Sequence, residues 1–299
     1  TINQGVERLL SSGGIPQRST IPIIADRPAL VRVYYTASAQ QFNQSAIGRL
    51  TLGDGTVVEV PLTLKSKSIE LDYDSSANFV LDGSQLTEPF RYSVGILQPG
   101  EDFPNARHPV DTLEEHPIEP RNVLRVMLVP YRYDFDGSGR LPDTSAEMVA
   151  AYRDRFMQRY PVSDVEVTVH APVPWSQEIH PFGEGWQDVM QDIYSLRLSE
   201  GATDVYYYGV FNPQPSIGEF CNQGCTLGVT TLNDEPVNVG QPELRWAVGV
   251  GYPENTFNTS AHEIGHAHGR LHVDCGPGVA PGSIDPDFPH SPSSIGVWG

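Results

Sequence analysis

Residues 262–272 read HEIGHAHGRLH, a stretch whose residue types and spacing could do chemistry. His262 and His266 stand four apart, Glu263 follows the first, Gly269 comes after both, and His272 closes the run. On an α-helix a four-residue step turns the side chain by only about 40°, so both imidazoles leave one face and can meet a single divalent ion. Zn²⁺ is the expected ion, with Glu263 next to an open coordination position. Gly269 suits a helix end because it tolerates the left-handed conformation, and the turn it permits could return His272 as a third nitrogen ligand. Three protein ligands and one open position describe a catalytic zinc; a structural site would have four. His268 lies about 200° around the helix from His266 and is expected to face away, towards solvent or packing.

This stretch resembles the HExxHxxGxxH signature of the metzincin zinc metalloproteases. The resemblance is close over these eleven residues and loose over the strands and helices before them. It implies His262, His266 and His272 as zinc ligands, Glu263 as general base and Gly269 as the turn residue. Metzincins also have a methionine-containing turn after the third histidine. Here Met127, Met148, Met157 and Met190 all lie upstream. The expectation is that the chain is C-terminally incomplete and stops before that turn, without a tyrosine that some members place near it; a floor built differently beneath the metal is the alternative.

The elements that must position these residues fall into two groups, and 299 residues suggest two domains. Residues 1–119 carry short apolar, β-branched stretches at 29–36, 47–52, 57–64, 68–73 and 91–97, separated by turn residues such as those at 53–55 and 82–83. They predict an antiparallel β-sandwich-like accessory domain, with the proline- and acid-rich segment 98–120 as a linker. Residues 120–299 predict a zincin-like metalloprotease domain with a mixed sheet. Strands are expected at 123–131, 165–169, 205–211 and 244–250, with helices at 144–160, capped by Asp143 or Thr144, and at 186–198, ended by Gly201. The metal-binding helix begins near 255–258. The fold class is α+β. Trp246 and Tyr206 to Tyr208 read as core aromatics, with a substrate groove as the alternative.

Composition narrows the partners. A net charge of −18 repels phosphate backbones and anionic lipid headgroups, so nucleic acid and membrane insertion are not expected. No run reaches the roughly 18 apolar residues of a spanning helix. Cys221, Cys225 and Cys275 are the three cysteines. A local disulfide, or a link from one of the first two to Cys275, points to an oxidising compartment and hence to secretion; half of a zinc site is the alternative. No cysteine precedes Cys221, so residues 1–220 cannot supply a thiolate that keeps a metal latent.

Residues 134–139 read DFDGSG and resemble the first half of a Ca²⁺ loop, with Asp134, Asp136 and Ser138 at alternating positions. The second half departs from that pattern, because Ser145 stands where a bidentate glutamate belongs and Pro142 intrudes. A polar turn is the plainer reading, with calcium as the alternative.

The chemistry expected is peptide-bond hydrolysis of a protein or glycoprotein substrate. Zinc would acidify a water, and Glu263 would take its proton and pass it to the departing amine. Residues 227–232 could offer an edge for an extended substrate. The competing reading is an adhesion or glycoprotein-binding protein whose zincin-like domain is not catalytic. A third is a hydrolase acting on a non-peptide bond.

Overall fold

The computed structural model describes residues 1–19, 21–98, 106–231, 242–273 and 284–285. The fold is α+β, with antiparallel sheets followed by a mixed sheet and a few helices. One compact unit is Thr1–Asn122 with Pro161–Asp164; the other is Val123–Tyr160 with the described residues from Val165 onward.

In the first unit, strands β1 (Ile2–Asn3), β2 (Glu7–Arg8), β3 (Ala29–Val33) and β6 (Ala77–Leu81) form one antiparallel sheet in the order β2-β1-β3-β6. Strands β4 (Ser45–Leu52), β5 (Val57–Thr63), β7 (Phe90–Leu97), β8 (Arg107–His108) and β9 (Glu114–His116) form the other, ordered β8-β7-β4-β5 with β9 also on β7. Along β4 exposed and buried residues alternate, as a strand with one solvated face requires. Val31, Phe79 and Leu81 from one sheet share a core with Leu50, Leu52 and Phe90 from the other.

Two expectations fail in this unit. Residues 68–73 are not a strand; the strand lies at Ala77–Leu81 instead. Ser68 Oγ donates to the Ser75 carbonyl, Ser75 Oγ donates to the Asp72 carbonyl and accepts from Ile69 N–H, and the Asp72 carboxylate accepts from Asp74 N–H. These short polar side chains offer the backbone local partners in place of a ladder. Nor are residues 106–120 of the expected linker segment 98–120 free of the sheet, because β8 and β9 both pair antiparallel with β7; 99–105 lie outside the described residues. Its acidic composition hid a buried polar cluster. Glu114 accepts from Tyr92 Oη at 3.0 Å and from His116 Nε2 at 2.6 Å, and His108 Nε2 lies 2.5 Å from its other oxygen.

The second unit is built on β10 (Val123–Tyr133), β11 (Asp164–Val169), β12 (Val173–Trp175), β13 (Tyr206–Phe211), β14 (Gly228–Val229) and β15 (Trp246–Val250), ordered β11-β10-β13-β15-β14 with β12 on β10. Strands β10, β13 and β15 are parallel, and β14 runs antiparallel to β15. Every residue of β13 is buried, as expected for a central strand covered on both faces.

Helix α1 (Ala146–Arg159) buries Met148, Tyr152 and Phe156 at four-residue spacing. Its N-cap is Ser145, whose hydroxyl accepts from Met148 N–H, and not Asp143 or Thr144. Helix α2 (Trp186–Glu200) buries Trp186, Val189 and Ile193 and ends at Gly201, left-handed at φ 69°. A short helix α3 (Ile217–Phe220) precedes a Cys221–Cys225 disulfide, and α4 (Thr256–Ala267) carries the histidine motif. Tyr208 meets Tyr152 of α1, whereas a Cβ at the next residue, Gly209, would lie 3.5 Å from Ile193 of α2. Successive residues of a strand point to opposite faces, so α1 and α2 cover opposite sides of the sheet. Helix α4 packs against α1, β15 and β14.

Candidate metal centre

Helix α4 ends in a motif that explains how its histidines meet. Arg270 N–H donates to the Gly265 carbonyl at 3.0 Å and Gly269 N–H to the His266 carbonyl at 2.8 Å. Gly269 is left-handed at φ 78°. This pair of bonds with a left-handed glycine is a Schellman cap, which satisfies two of the last carbonyls and reverses the chain. The reversal returns His272, whose own carbonyl accepts from Asp285 N–H at 2.7 Å.

His262, His266 and His272 then converge. His266 Nε2 lies 2.9 Å from His262 Nε2 and 3.1 Å from His272 Nε2. His266 Nδ1 is 2.6 Å from the Arg270 carbonyl, an acceptor only, so the ring proton sits on Nδ1 and Nε2 presents a lone pair. One lone pair cannot serve two neighbouring imidazoles through hydrogen bonds, but a cation at their common focus satisfies all three. The donor set therefore fits a metal ion, and it is the group among the described residues that could hold one. Burial, followed by the neighbouring imidazoles, holds His262 below its ordinary pKa, and burial does the same for His266. Both shifts favour the neutral rings that ligation needs.

Glu263, the residue after His262, is buried, and burial pushes its pKa up to about 8. Gly228 of β14 packs against it. A Cβ on Gly228 would lie 2.6 Å from Glu263 Cγ, so only a glycine strand fits there. The sequence reading missed Gly228, and only its place in an edge segment hinted at it.

Packing fixes the helix from behind. Tyr160 Oη donates to the Ala261 carbonyl at 2.6 Å. His268 Nδ1 donates to the Ile264 carbonyl at 2.7 Å, and its ring stacks on Tyr206 at 4.4 Å, so it takes no part in the triad. Trp246 and Tyr206 to Tyr208 are buried in the core.

The other expected site residues lie apart. Asp134 pairs with Arg132 at 2.9 Å and Asp136 with Arg140 at 2.6 Å. The Asp136 carboxylate also accepts from Ser138 N–H, which makes the DFDGSG segment a salt-bridged turn. Cys221 and Cys225 are joined to each other, and Cys275 lies outside the described residues. No described helix is long and apolar enough to cross a membrane.

No family model and no curated protein matches the sequence. Among solved structures the chain is similar to metalloproteinase-II from Bacteroides fragilis, with 14% identity and a TM-score of 0.31 over 79% of this chain and 84% of that one. It is also similar to a chain from the structure of a chaperone–substrate complex, with 12% identity and a TM-score of 0.28 over 64% of this chain and 28% of that one. Both likenesses are too loose to bear on function.

Proposed function

We propose that this chain is a secreted, metzincin-like zinc endopeptidase acting on protein or glycoprotein substrates. The observation that carries the proposal is the meeting of three imidazole nitrogens, the first of them on the residue before a buried glutamate. His262, His266 and His272 would hold the ion through Nε2, with His266 oriented by its bond to the Arg270 carbonyl. When bound there, zinc would supply Lewis acidity, polarising a scissile carbonyl and lowering the pKa of a water from about 16 towards about 7. Glu263, one residue from His262, takes the proton from the attacking water and delivers it to the departing amine. Gly228–Val229 lies at the edge of the sheet order, antiparallel to β15, where an extended peptide could add as a further strand. The disulfide supports the secreted reading.

Elemental analysis and hydrolysis of a denatured protein test the proposal together. The chain should hold one zinc per molecule and cleave in a chelator-sensitive manner. Glu263→Ala should keep the zinc and lose turnover by about 10² to 10⁴-fold, whereas His266→Ala should lose the zinc. Full turnover in zinc-loaded Glu263→Ala would remove the general-base assignment.

A further inference from the structure

Gly228 and Gly249 are directly paired across β14 and β15, so the faces they leave bare point the same way. Each void is filled by a side chain. A Cβ on Gly249 would meet Tyr208 Oη at 2.1 Å. A Cβ on Gly228 would meet Glu263 Cγ at 2.6 Å, Thr259 Cγ2 at 2.7 Å and Glu263 Oε1 at 2.8 Å. Real Cβ contacts do not come this close, so any side chain at 228 would displace the glutamate or push the strand away from α4. Gly228 does not have a positive φ, and its neighbours, not its own dihedral, demand the missing side chain.

We infer that Gly228 is a positioning residue for Glu263: the bare face it leaves at the sheet edge is where the glutamate side chain seats, one residue from His262. This deepens the peptidase reading and rests on it for the catalytic consequence. The same strand that would align a substrate also sets the location of the base, so peptide and carboxylate are indexed to one piece of backbone. Displacing a reacting group by about 1 Å costs up to about 10²-fold in rate.

The test is a double-mutant cycle on the full chain with two readouts. Gly228→Ala should lower kcat by about 10²-fold with KM within about twofold and zinc content unchanged. Gly218→Ala is the control, because a Cβ there meets nothing within 4 Å. Independently of turnover, Gly228→Ala should lower the Tm of the wild-type chain by roughly 5 °C. In the Glu263→Ala background, where two of the three close atoms are gone and Thr259 Cγ2 remains, a measurable part of that loss should disappear. An additive cycle, or a Gly228→Ala protein with wild-type kcat, would overturn the inference. A wild-type chain that cleaves nothing would overturn the peptidase reading, while the thermal cycle would still decide whether Gly228 seats Glu263.

Discussion

At the scale of single residues, the eleven-residue motif was readable because its geometry is local. A four-residue step on a helix and a glycine that permits a left-handed turn are properties of neighbours along the chain. Gly228 was not readable for the opposite reason. It lies 35 positions before Glu263, and only the pairing of β14 with β15 brings it over α4. Gly269 lends itself to a direct test. At φ 78° an alanine costs about 1–2 kcal/mol and shifts the return of His272. Gly269→Ala should therefore weaken zinc binding about tenfold, measured by competition with a chromophoric chelator.

At the scale of elements, strands and helices with a strong period appeared where the pattern placed them, with ends moved by one to three residues. The 11-residue β10 and the helices α1 and α2 are of this kind. Strands of two or three residues left no period to read, which is why β8 and β9 were mistaken for linker. Polarity misled as well, because Glu114 and His116 are charged-type residues that are nonetheless buried. For Glu114, burial raises the pKa, but hydrogen bonds from His108, His116 and Tyr92 outweigh it, so the net shift is downward. A carboxylate with a depressed folded pKa contributes stability above its unfolded pKa and loses it as pH falls through the folded one. Glu114→Gln should thus cost about 2 kcal/mol at pH 7 in chemical denaturation. The gap between the two proteins should close below about pH 4.

For the molecule as a whole, two hydrophobic clusters mean two cooperative units, and the metal ligands belong to the second. Calorimetry should resolve this. Saturating zinc should raise the transition of the unit containing α4 by several degrees, with about 4 kcal/mol gained at 1,000 times Kd, and leave the other transition in place. Motion of both transitions together would show that the units melt as one. The Schellman turn has one more consequence. Because the three nitrogens come from eleven consecutive residues, gathering them closes only a very short loop, and its entropy is small. Capture of the ion therefore does not wait for distant strands to pair. It can precede the sheet and act as a seed on which α4 winds.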